Sequence, residues 1–370
     1  MGLPLALDAI LRAAAPTSRS DAKVAVTFCR DYGSEVKAAL RRCFDLLGGI
    51  GSLVRGQTVT VKINLTGTDF RPLFDRPVGE TYMTHFSTAL ALGALLFEAG
   101  VRRVRFVEST NSRAPLETSL GFAGWEVKTL AALGEVEFEN TRNLGKGRGY
   151  AHLKVPTGSY LFSSFDLNHA YDETDVLVSL CKLKQHVTAG ITLSMKNLFG
   201  VTPNSLYGDE AGSEDATGGR SPLHFRSQCR SVRPPGLKPG DKSTDATYRI
   251  PRIVVDVCAA RPIHLAIIDG ITSMSGGEGP WCAETNKLKV TQPGLMIAGL
   301  NPVSTDAVGT ALMGYDRPCA PRGTPPCAFC DNHLLLAEQA GLGTADLSKI
   351  EVLGVPVDKA ICRYDRITGL

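Results

Sequence analysis

The sequence predicts an α/β protein of two lobes, each built on a mainly parallel sheet, with a cleft between them. Segments of strand pattern alternate with segments of helical period, which favours parallel pairing through helical crossovers. Glycines follow three of the helical segments where a left-handed cap is needed, at Gly48-Gly49, Gly100 and Gly341. A chain of 370 residues also exceeds what one hydrophobic core usually organises.

The strand candidates are residues 23–29, 58–63, 103–107, 175–180, 263–268 and 350–355, and the helical ones are 35–47, 85–99, 247–260, 305–313 and 332–340. From 203 to 245 this pattern lapses into a polar stretch rich in glycine and proline, read as a lid over a site or a linker. The expected division is an N-terminal arm at 1–22, an N-terminal lobe at 23–202, the polar segment at 203–245 and a C-terminal lobe at 246–370.

Composition narrows the function classes. Apolar residues make up 43% and charged residues 21% of the chain, an ordinary globular balance. A formal charge of +3 without a basic stripe argues against a nucleic-acid or anionic-membrane partner. Ten scattered cysteines suit reduced thiols in a cytoplasmic protein better than a disulfide framework. The opening run MGLPLALDAILRAAAP resembles a signal peptide only faintly, because Asp8 and Arg12 interrupt it, and it reads as an arm. No stretch approaches the ~18 apolar residues of a membrane-spanning helix.

The segment DVLVSLCKLKQHVTAGITLSMKNLFG at 175–200 carries the densest chemistry. On an extended strand Val176, Val178 and Leu180 share a face with Lys182, Lys184 and His186, so an apolar face turns cationic at its carboxyl end. Ligands of open parallel sheets gather beyond those ends. A helix follows, with Ile191, Met195, Leu198 and Phe199 on its apolar stripe and Lys196 and Asn197 off it. Thr192 lies one turn before Lys196, and the helix start offers backbone N–H groups to an anion. Crowded, partly buried lysines lower one another's pKa, which suits Lys184 or Lys196 to base or nucleophile work, with His186 as proton carrier.

Other residues join as substrate ligands. Lys62 and Asn64 end the strand at 58–63, Arg71 and Arg76 follow in a loop able to hold a carboxylate or phosphate, and His85 opens the next helix behind Thr84, which reads as its N-cap. The turn SGGEGP brings backbone close to a ligand at Gly277 and Gly279. Asp306 reads as a first-turn acid of its own helix. Cys319, Cys327 and Cys330, with His333 beyond, form a knuckle able to hold zinc or an iron–sulfur cluster.

The blocks KLKQHVTAGITLSMKNLFGVTP, VKINL, DGITSMSGGEGP and NPVSTDAVGTALMG resemble the family catalogued as domain of unknown function 362. A more distant similarity is to lactate racemase, in which a nickel pincer cofactor is attached to a lysine. His186 and Lys196 keep the ten-residue spacing of a histidine and that lysine, while Arg71-Pro72 or Arg76-Pro77 stands for its early Arg-Pro pair. The racemase's later nickel-ligating histidine has no counterpart at the matching distance. The resemblance implies two lobes around a His/Lys pair and racemase- or epimerase-like chemistry. The residues themselves leave three functions open: an enzyme for a small anionic substrate, a metal or redox protein, and a non-catalytic binder of an anionic metabolite.

Overall fold

A computed structural model describes residues 22–66, 70–156, 158–225 and 232–370. Apart from Ala22, the expected arm at 1–22 lies outside the described residues, as does Cys229. Four strands come first, β1 (Lys23–Phe28), β2 (Thr58–Lys62), β3 (Arg103–Glu108) and β4 (Val136–Asn140). A small antiparallel pair, β5 (Ala151–Lys154) and β6 (Ser164–Leu167), leads to β7 (Val176–Lys182). A second pair, β8 (Gln185–His186) and β9 (Gly190–Ile191), precedes β10 (Leu265–Gly270). The pair β11 (Ser273–Ser275) and β12 (Lys289–Thr291), then β13 (Leu295–Gly299) and β14 (Glu351–Gly354), complete the strands.

Eight of them form one sheet in the order β14-β1-β13-β10-β7-β2-β3-β4. Every neighbouring pair is parallel except those made by β13, which runs against both β1 and β10. The fold is therefore mixed α/β on a large, mainly parallel sheet, as the alternating pattern predicts. Residues 23–202 and 246–370 share this sheet: β1 sits between β13 and β14, and β7 pairs with β10.

Both faces of the sheet are covered, so its central strands are apolar on both sides. Val24, Val26, Leu177, Cys181, Ala266 and Ile268 face a core shared with the helices Ala246–Ala260 and Pro302–Leu312. Ala25, Val59, Val61, Val178, Leu180 and Ile267 face the opposite core, under the helices Glu35–Leu46 and Phe86–Glu98. Among the described residues no helix is long and apolar enough to cross a membrane.

The strand alternation decides where the basic residues go. Lys182 follows Val178 and Leu180 onto the second face, where it meets Tyr32. Beyond it the chain folds back through β8 and β9 and enters the short helix Leu193–Asn197 on the first face. That helix is held at its start by Asp306. Its carboxylate accepts from Ser194 N at 2.9 Å, Ser194 Oγ at 2.5 Å and Met195 N at 2.9 Å. Two expectations change here. Asp306 caps the Lys196 helix rather than its own, whose first turn is capped by Asn301. The backbone N–H groups expected to receive an anion are taken by that carboxylate. Likewise Thr84 is not the cap of the Phe86–Glu98 helix; His85 accepts from Ser87 N, while Thr84 Oγ1 ties Asn64 N to the Leu180 carbonyl.

Burial pushes the Asp306 pKa from 3.8 up to about 7, so the folded state holds its proton more tightly than the unfolded chain. Asp306→Ala orphans two backbone donors and a hydroxyl while relieving a buried carboxyl, and is expected to cost about 2–4 kcal/mol in urea unfolding. Because protonation favours the folded form of the parent, the gap between parent and variant should widen as pH falls from 7 towards 4. A gap that is constant across that range would show that Asp306 does not titrate as its burial requires.

Candidate functional site

At the carboxyl ends of the parallel strands β2, β3, β7 and β10 stand Lys62, Glu108, Lys182 and Asp269. Among the described residues four lysines are buried: Lys62, Lys182, Lys184 and Lys196. Burial disfavours each ammonium and lowers each pKa, Lys184 to about 7 and Lys196 to about 8. What separates them is pairing.

Lys62 Nζ lies 2.7 Å from Glu108 Oε1 and donates to the Ile63 carbonyl and to Asn197 Oδ1. Lys182 Nζ donates to Tyr32 Oη at 2.5 Å and to the Gly79 carbonyl at 2.9 Å, with Asp269 at 3.4 Å. Lys184 Nζ donates to the carbonyls of Tyr82 and Glu278, at 2.6 and 3.0 Å. Among the described residues Lys196 makes no hydrogen bond or ion pair, and its Nζ stands 4.4 Å over the Phe199 ring.

Lys196 opens into a cavity of about 390 Å³, within the size range of small-molecule sites. Its lining combines the ends of β2 and β3 (Lys62, Asn64, Glu108) with His186, Thr192 and Asn197. The polar segment contributes Gly219, Arg220 and His224 to the lining, and Glu278 and Trp281 enter from the glycine-rich turn. Asn197 is the hinge of the polar floor. Its Oδ1 accepts from Asn64 Nδ2 at 3.1 Å, and its Nδ2 donates to the Lys62 carbonyl and to Ser179 Oγ. This arrangement leaves Asn64 Oδ1 buried without a partner among the described residues.

Arg220 donates from Nε to the Thr202 carbonyl at 2.8 Å and from Nη2 to Ser109 Oγ and the Gly200 carbonyl. Its Nη1 makes no hydrogen bond among the described residues. The two histidines of the cavity are neutral at physiological pH. Burial and the nearby Lys196 and Lys184 charges hold His186 well below its ordinary value, and burial takes His224 to about 4. His186 Nδ1 accepts from Thr188 N at 3.2 Å, and its Nε2 lies 3.9 Å from Glu278 Oε1. Glu278 is fixed in turn by Val187 N at 3.0 Å and Trp281 Nε1 at 3.2 Å.

The expected site residues thus divide. Lys62, Asn64, His186, Thr192, Lys196 and Asn197 line one cavity. Lys182, Lys184, Arg71, Arg76 and His85 are not in its lining. Lys182 and Lys184 instead brace backbone; His85 stacks on Tyr32 with 3.6 Å between ring centres, and Arg76 pairs with Glu80 at 2.9 Å. The Arg71 carbonyl accepts from Tyr82 Oη. Gly277 and Gly279 act by what they let pass. Gly277 has a φ of 153°, and a Cβ there would strike Cys282; a Cβ on Gly279 would strike the Trp281 ring. The two glycines therefore let Glu278 and Trp281 turn inward. Arg220, His224, Glu278 and Trp281 escape the sequence reading, although Glu278 sits in the middle of the quoted SGGEGP.

Nine cysteines are described and all are free. Among the described residues no three His, Cys, Asp or Glu side chains are grouped closely enough to hold a metal ion, the expected set of Cys319, Cys327, Cys330 and His333 included. The Cys327 and Cys330 thiols are hydrogen-bonded to each other, and His333 is buried with its pKa pushed down to about 3. For a nickel pincer cofactor, Lys196 offers an amine, but the surrounding donors do not fit the ion.

The contrast in pairing has a measurable consequence. With acetic anhydride on the folded protein, the Lys196 peptide should acetylate with a midpoint near pH 8, following the shifted pKa. The peptides of Lys62, Lys182 and Lys184 should stay unmodified until the protein unfolds. Peptide mass mapping across a pH series decides; equal labelling of all four would contradict the pairing described.

Residues 59–311 match the family model described as "Domain of unknown function (DUF362)". The chain is similar to the Thylakoid-associated protein sll1697 of Synechocystis sp., 26% identical over 298 residues, covering 77% of this chain and 72% of that one. Among solved structures it is similar to the lactate racemase apoprotein from Thermoanaerobacterium thermosaccharolyticum. That likeness has a TM-score of 0.36 and 12% identity over 66% of this chain, which spans 49% of the racemase chain. The family match runs from β2 through Lys196, Arg220 and Glu278 into the helix that carries Asp306, and with most of its length so matched the chain belongs to the DUF362 family.

Proposed function

We propose that the chain is an enzyme acting on a small anionic substrate, a carboxylate or phosphate, by proton transfer or covalent chemistry at Lys196, in the manner of a racemase or epimerase. The observation that carries this is the unpaired Lys196 amine, facing a cavity in which the other buried lysine, Lys62, is fully engaged. A buried amine with a pKa near 8 exchanges its proton at little cost near neutrality. Beside it His186 is neutral, and with Nδ1 taken by Thr188 N its Nε2–H is left as a donor, so of the two Lys196 is the proton acceptor. The cavity gathers three cationic side chains, Lys62, Lys196 and Arg220, against two carboxylates, Glu108 and Glu278, which favours an anion. Lys182 and Lys184 serve by holding Tyr32, the 79–82 backbone and Glu278 in place.

The test is wash-in of solvent deuterium at the carbon beside the carboxylate, followed by NMR on a panel of small 2-hydroxy and 2-amino acids. The parent should exchange at least one of them. Lys196→Ala and His186→Gln should slow that exchange by about 10²–10⁴-fold with thermal unfolding little changed. Exchange at the parental rate in both variants would remove these residues from the reaction.

A further inference from the structure

Three polar atoms at the cavity have bonding capacity to spare among the described residues: Lys196 Nζ, Arg220 Nη1 and Asn64 Oδ1. They differ in kind, being a nucleophile, a cationic donor pair and a lone-pair acceptor. An acceptor repels a carboxylate, so an anion is directed to Arg220, while Asn64 suits a hydroxyl. Apolar walls at Phe199, Leu65 and Trp281 and a volume of about 390 Å³ favour a short molecule.

We propose that the cavity takes a short 2-oxo carboxylate whose keto carbon condenses with Lys196 to form a Schiff base. The proposal rests on the reading that Lys196 and its cavity are the working site. The neutral amine adds to the keto carbon, the C=O electron pair moves to oxygen, and a proton passes from the nitrogen to that oxygen to give a carbinolamine, whose hydroxyl can donate to Asn64 Oδ1. A second proton lets that hydroxyl leave as water, and the nitrogen lone pair closes the C=N bond. Ammonium and ketone thus yield iminium and water, with no oxidant or reductant. The Phe199 face that lies 4.4 Å below Nζ in the free protein stabilises the iminium charge as it does the ammonium. The iminium then acidifies the neighbouring C–H. The Glu278 carboxylate, also in the lining, can take that proton while the C–H pair forms the enamine double bond and the C=N pair returns to nitrogen, a proton transfer one carbon beyond that of the 2-hydroxy acids.

The experiment is reduction with cyanoborohydride in the presence of pyruvate, with acetone as the uncharged control, followed by peptide mass mapping of the full chain. Pyruvate should add one reduced adduct to the Lys196 peptide in preference to every exposed lysine. Acetone should label the same residue more weakly. Arg220→Ala should cut pyruvate labelling about tenfold or more and leave acetone labelling within about twofold. Absence of an adduct on Lys196 with either carbonyl would overturn the Schiff base, and labelling by acetone as strong as by pyruvate would overturn the carboxylate assignment. If deuterium wash-in persists while Lys196 stays unlabelled, only this inference fails; if both are lost, the reading beneath it fails too.

Discussion

An ammonium group taken out of water without compensation costs several kcal/mol, and this constraint organises the centre of the molecule. Lys62 and Lys182 lie at the ends of adjacent parallel strands, on opposite faces of the sheet, each in contact with a carboxylate from a neighbouring strand. Lys184 has no carboxylate in contact among the described residues and is satisfied by two carbonyls instead. Those bonds tie the sheet ends to Gly79, Tyr82 and Glu278, so the loops around the cavity are positioned by the need to satisfy buried charge. Lys196 is the exception, and an exception to so costly a rule is where chemistry is to be sought.

The same constraint explains why the cavity has a polar floor and neutral histidines. Asn197 spends its amide on Lys62, Asn64 and Ser179, bridging β2, β7 and the Lys196 helix. Burial, and after it the positive charge on Lys196 and Lys184, disfavours a further cation, so His186 stays unprotonated. Asp306, on the far side of the helix, fixes the height at which Lys196 meets this floor.

Much of the fold was legible because buried parallel strands are apolar runs and their helices keep a 3.6-residue period. All six expected strands and all five expected helices appear, most within two residues of their expected limits. Two strands of the sheet were not legible. In β4, Glu137 and Glu139 disguise an edge strand whose charges are paired with Arg105, Arg103 and Lys146. In β13, LMIAG is short and set among turn residues. At the site, alternation put Lys182 on the correct face but could not show that the β8–β9 turn carries His186 to the other. Arg220 and His224 lie in a stretch without periodicity, where only the folded chain reveals what they face.

The reversed strand β13 sets the order in which this molecule can be completed. Val24 faces Gly299 on one side and Val352 on the other, so β1 is synthesised long before either neighbour exists. Closing such distant pairs is slow, and until then β1 presents unsatisfied backbone along both edges. Its sequence KVAVTF, charged at one end only, carries little to guard it against mispairing in that interval.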